Sequence, residues 1–67
     1  MHEKRSLKHW RLLNDLTQKE LAAKVGISVM TISSYESEKR KLRAAKYETI
    51  HRIAKELKIE IENIDFF

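Results

Sequence analysis

The side chains able to do chemistry in this chain are mostly bases, and they are unevenly placed. Of 67 residues, 14 are Lys or Arg and 10 are Asp or Glu, for a net charge of +4. Residues 1–46 carry eleven of the bases against five acids, whereas residues 47–67 carry three against five. The densest cluster is Lys39, Arg40, Lys41 and Arg43. A basic stretch beside an acidic one is the electrostatic footprint of a polyanion binder, the alternative being a solvated surface of mixed charge. Catalysis has no comparable footing. His2, His9 and His51 are scattered, and His51 stands at helical spacing from Glu48 with no third ligand near. The chain has no cysteine, so it can form neither a disulfide nor a thiolate metal site. It shows no glycine-rich phosphate loop and no nucleophile–base arrangement, so no enzyme, cofactor or metal is expected.

The elements that must position these bases read as helices. One glycine and no proline leave too few turn residues for an all-β fold. A chain this short has room for one domain, burying roughly 60% of the surface its unfolded form exposes. No run of about 18 apolar residues is present to span a membrane. The opening MHEKRSLKHW is charged with no apolar stretch behind it, unlike a secretory signal, so an intracellular, cytoplasmic protein is expected.

The most informative stretch is Thr17–Ser37, TQKELAAKVGISVMTISSYES. Thr17 with Glu20 three residues on is the pairing in which each side chain satisfies the other's backbone donor at a helix start. Leu21, Ala22 and Val25 mark an apolar stripe at helical spacing. Gly26 falls where that helix must stop, since only glycine enters the left-handed region without steric cost. Ile27 follows as an apolar plug, Ser28 caps a second helix, and Ile32 and Tyr35 continue the stripe. Two helices joined by a tight glycine turn form a helix-turn-helix.

With Gln18 as its first position, this segment resembles the Cro and lambda-repressor-like (XRE-type) regulators. Leu21, Ala22, Val25, Gly26, Ile27, Ile32 and Tyr35 all fall on the expected residue types. The resemblance runs from about Leu7 to Ile64. It implies an all-α, five-helix lambda-repressor-like DNA-binding domain with its helix-turn-helix at about 18–37. Around that domain (7–64) the chain divides into a flexible basic arm (1–6) and an apolar end (65–67).

Before the motif, Ser6 is a candidate cap. Leu7, Trp10, Arg11 and Asn14 share one face of a first helix, with Trp10 in the core, Leu16 closing the helix and Leu13 partly exposed. Arg11 on the inward face is odd for a charge, and the resemblance pairs it with Glu36 as a structural ion pair. After Glu36 comes a basic loop, SEKRKLR, lacking the glycine and proline that relatives usually carry there. Tyr47, Ile50, Ile53, Ala54 and Leu57 then keep the spacing of a fourth helix. Ile59, Ile61 and Ile64 read as a turn plus a short final helix, because a lone strand has no partner. Phe66 and Phe67 are either a lid on the core or a dimer contact.

The resemblance implies sequence-specific binding of a double-stranded DNA operator and transcriptional regulation, by repression, with the third helix (about 28–36) in the major groove. Carried over by position, Ser28, Val29, Met30, Thr31 and Ser34 face the bases, while Gln18, Lys39, Arg40 and Arg43 hold phosphates. Val29 and Met30 depart from the polar residues usual in relatives. They can only pack, which points to thymine methyl groups and DNA shape. A two-fold operator implies a homodimer, at least on DNA. Two rival readings stand beside this one. The first is an antitoxin-type autoregulator that also binds a toxin. The second is a protein-interaction module using Val29, Met30, Phe66 and Phe67.

Overall fold

Hydroxyl caps start three of the helices in the computed structural model, which describes residues 3–67. Ser6 accepts from the His9 N–H (3.1 Å) and opens α1, Leu7–Leu13. The chain turns out of α1 through Asp15, at φ 57°. There Asn14 ties the turn down by donating its amide N–H to the Trp10 and Leu57 carbonyls. Thr17 and Glu20 form the reciprocal cap of α2, Gln18–Val25, at 3.0 and 2.8 Å. Gly26 ends α2 at φ 83°; a Cβ there would meet no atom within 4 Å, so the backbone angle alone selects glycine. Ser28 accepts from the Thr31 N–H to start α3, Val29–Ser37.

The exit from α3 differs from the expected basic loop. Glu38, extended at φ −132°, breaks the helix without glycine, and Lys39–Arg43 coil at once into a short helix, α4. Leu42, 1% exposed, anchors α4 to the core. The Glu38 carboxylate lies 3.4 Å from Lys41 and 3.8 Å from Arg40. Arg40, Lys41 and Arg43 lie in the last turn of α4, where the helix dipole favours cations. The amphipathic helix expected as the fourth is therefore the fifth, α5, Tyr47–Glu56. It buries Ile50, Ile53 and Ala54, and Leu57 follows at 1% exposure. Tyr47, expected in the core, is 73% exposed; it is the first residue of α5, and its ring stacks on His51 at 6.2 Å.

A single turn of 3-10 helix, Ile61–Asn63, follows, and the partner that a final extended residue needs is then supplied by residue 5. Ile64 and Arg5 form a parallel bridge, with Arg5 N–H donating to the Asn63 carbonyl (3.0 Å) and Asp65 N–H to the Arg5 carbonyl (2.9 Å). Around it, Lys4 donates to the Glu62 carbonyl, Asn63 to the Glu3 carbonyl and Trp10 Nε1 to the Asn63 carbonyl. Residues 3–6, expected in a flexible arm, are thus held along the last turn of the chain. The rest of that arm, Met1 and His2, lies outside the described residues.

Leu21, Ile32, Leu42 and Ile53, one from each of α2 to α5, and Leu57 and Ile64, which follow α5 and the 3-10 turn, are the largest fully buried side chains and form one core. Leu7 and Trp10 add the inner face of α1. The fold is all-α, with five helices and no strand among the described residues. Every buried side-chain nitrogen and oxygen among them has a partner.

Candidate nucleic-acid interface

Arg11 is a charged residue buried at 6% exposure, and its partner Glu36 has a side chain 5% exposed. Its Nε donates to Glu36 Oε2 (2.6 Å), its NH2 nitrogen to Glu36 Oε1 (3.2 Å), and its NH1 nitrogen to the Leu16 carbonyl (2.7 Å). Gln18, the first residue of α2, adds a 3.0 Å bond from its amide nitrogen to Glu36 Oε1. One carboxylate on the last turn of α3 thereby ties α1, the following turn and the start of α2 together. A planar guanidinium matched to both carboxylate oxygens resists rotation in a way one point contact does not. The angle of α3 is set by this charge-assisted clamp as well as by Ile32 packing inward.

The outward side of α3 is unobstructed. Met30 is 77% exposed and Val29 43%, while Ser33 and Ser37 continue the exposed stripe at helical spacing. Ser34 and Thr31 are half-buried flanks. The Ser28 hydroxyl is engaged twice, accepting from the Thr31 N–H and sharing a 2.9 Å hydrogen bond with the Thr31 hydroxyl. Of the five residues expected to face bases, Ser28, Val29 and Met30 are exposed, and Ser28 spends its oxygen as a cap. Ser33 was absent from that set. Its position four residues after Val29 and three after Met30, beside inward Ile32, is the sequence signal that identifies it.

The four residues expected on phosphates lie in different settings. Gln18 is half-buried, with its amide on Glu36. Arg40 has a side chain 80% exposed, reaching no closer than 3.8 Å to Glu38. Lys39 instead forms a 3.0 Å ion pair with Asp65. The Arg43 NH1 nitrogen donates to the Phe66 carbonyl at 2.7 Å, and its guanidinium lies 4.6 Å from the Phe67 ring centre. Phe66 packs partly against the core, so it closes one edge of the domain, while Phe67 is 89% exposed. The Asp65 carboxyl is held below its ordinary range first by the Lys39 hydrogen bond and then by the Phe67 N–H. The Glu20 carboxyl is lowered mainly by the bond it accepts from the Thr17 N–H.

No group of three or more His, Asp or Glu among the described residues is placed to hold a metal ion. No helix among them is long and apolar enough to cross a membrane. An open depression of about 430 Å³ beside α5 is lined by Tyr47, His51, Lys55 and Glu60 among others.

Residues 7–64 match the HTH_3 helix-turn-helix family. No curated protein and no solved structure gives a significant match.

Proposed function

Because this chain belongs to the Cro/C1-type (XRE) helix-turn-helix family, whose domain binds DNA and regulates transcription, we propose that it acts as a repressor on a two-fold operator. Residues 7–64 are the binding unit, and α3 enters the major groove with its first turn towards the base edges. The observation that carries this reading is the start of α3. It is capped by Ser28, held by the Arg11–Glu36 pair at its other end, and bare of intramolecular cover at Val29 and Met30.

An exposed thioether and isopropyl group in a groove meet one apolar feature, the thymine C5-methyl. Val29 and Met30 select A·T pairs through it, Ser33 and Ser34 bond base edges one turn further on, and Thr31 flanks them. Phosphates are held by Arg40, by Lys39 and Arg43, and by Gln18 at the open N–H groups of α2. One half-site offers few contacts, so two copies bind half-sites about one helical turn apart.

Selection from random duplex DNA tests the reading. The expected product is an inverted repeat with A·T pairs at the steps under α3. Enrichment of a sequence with no A·T preference there removes the methyl-contact mechanism, and a single unrepeated half-site removes the dimer.

A further inference from the structure

The four bases of α4 divide into two groups. Lys39 and Arg43 are four residues apart and therefore share a face of α4. Both are occupied by residues 65–67: Lys39 by the Asp65 carboxylate at 3.0 Å, Arg43 by the Phe66 carbonyl at 2.7 Å and the Phe67 ring at 4.6 Å. Arg40 and Lys41 lie instead beside the Glu38 carboxylate, at 3.8 and 3.4 Å, with the Arg40 side chain 80% exposed. The occupying segment is not adrift. Ile64, fully buried, pairs with Arg5, and the Asp65 N–H donates to the Arg5 carbonyl, so the backbone is pinned one residue before the carboxylate and again at it. Phe66 leans on the core and sets its own carbonyl against Arg43.

We propose that Asp65–Phe67 is an internal stand-in for a DNA backbone, presenting one carboxylate and one carbonyl oxygen to the two cations that phosphates must take over on binding. The inference rests on the reading above, in which Lys39 and Arg43 are phosphate contacts. A tethered anion acts at the high effective concentration of an intramolecular ligand. DNA therefore displaces it at these two positions, whereas it meets Arg40 directly. The exchange has a signature in salt dependence. When Lys39 leaves Asp65 for a phosphate, the DNA releases a counterion but Asp65 recruits a cation from solution, so the contact contributes little net ion release. With Asp65 neutral, the same contact contributes its full share, about 0.9 in the slope of log K against log salt.

The test measures affinity for a random-sequence duplex across a salt series, using the full chain and the variants Asp65→Asn, Glu62→Gln, Lys39→Gln and Asp65→Asn/Lys39→Gln. Glu62→Gln makes the same change in net charge without touching Lys39, since the Glu62 carboxylate forms no ion pair among the described residues. Asp65→Asn is expected to bind about five-fold tighter at low salt, the upper range for releasing an exposed ion pair, with a slope steeper by up to about 0.9. Glu62→Gln should show a smaller gain with no change in slope, and in the Lys39→Gln background Asp65→Asn should gain no more than Glu62→Gln does and leave the slope unchanged. If Lys39→Gln weakens binding but Asp65→Asn gains no more than Glu62→Gln, the tail is no competitor and the inference is overturned while the phosphate role stands. If Lys39→Gln leaves affinity and slope unchanged, the phosphate reading itself fails and takes the inference with it.

Discussion

Removing the Arg11 guanidinium strips three hydrogen bonds at once and strands a carboxylate. In Arg11→Ala, Glu36, with a side chain only 5% exposed, keeps its Gln18 partner but loses the two bonds of 2.6 and 3.2 Å that neutralise it. The Leu16 carbonyl loses a 2.7 Å donor as well. Breaking one side of a buried pair costs about 3–5 kcal/mol. A domain of this length has only roughly 3–10 kcal/mol in total, from the usual per-residue stability. At roughly 4–8 °C per kcal/mol for a domain of this size, the single variant should melt more than about 12 °C below the parent, and a marginal parent would leave it unfolded at room temperature. Glu36→Ala should behave similarly, because it buries an unpaired guanidinium. The double variant Arg11→Met/Glu36→Leu is expected to recover most of the loss, since well-packed apolar groups replace such pairs at little or no cost. Thermal melts followed by far-ultraviolet circular dichroism, with urea titrations for the milder variants, supply all three numbers. Single variants within about 1 kcal/mol of the parent, in the range of exposed pairs, would refute the clamp. A double variant as unstable as the two singles summed would show that geometry specific to Arg and Glu, beyond charge compensation, holds α3.

Gly26→Ala should destabilise by about 1–2 kcal/mol, the cost of the left-handed backbone at φ 83° and not of crowding, read as a lower urea midpoint with unchanged slope. Glu20 has its folded-state pKa lowered, so the stability it contributes is fully present above its ordinary unfolded value and is lost as pH falls through the lowered folded one. Glu20→Gln should accordingly flatten the loss of stability in that acid window and leave its shape above pH 6 unchanged. Met30→Ala should reduce discrimination between A·T and G·C at one operator step with little effect on random-duplex affinity. Arg40→Gln should weaken all sequences alike and lower the salt slope by about 0.9, as parallel fluorescence-anisotropy titrations would show.

Much of this architecture is local chemistry and is therefore written locally. The Thr17–Glu20 cap, the Gly26 turn and the Leu21, Ala22, Val25 and Ile32 stripe each lie within a few residues of the partners that explain them, and the helix-turn-helix they specify is present. Helix α4 is different. Five residues with one apolar member, Leu42, are too few to display a period, and four of the five are bases that resemble a loop when read without the core they pack on. Tyr47 has the spacing of a core residue but stands at the first position of α5, where the helix has yet to reach the core. The pairing of Arg5 with Ile64 crosses most of the chain, and no residue near either one encodes it. For the same reason the occupation of Lys39 and Arg43 by residues 65–67 is invisible in the basic cluster itself.

That long-range pairing gives the molecule a built-in gauge. The Arg5–Ile64 seam closes a loop of nearly the whole chain, so its closure entropy is recovered only after the helices have assembled. The chain has a single tryptophan, and its indole N–H donates to the Asn63 carbonyl inside that seam at 2.8 Å. Indole emission therefore reports the seam separately from the helical signal. A shift in wavelength that precedes the loss of ellipticity on heating would mark the strip of backbone carrying Asp65 peeling away while α1 to α5 remain folded.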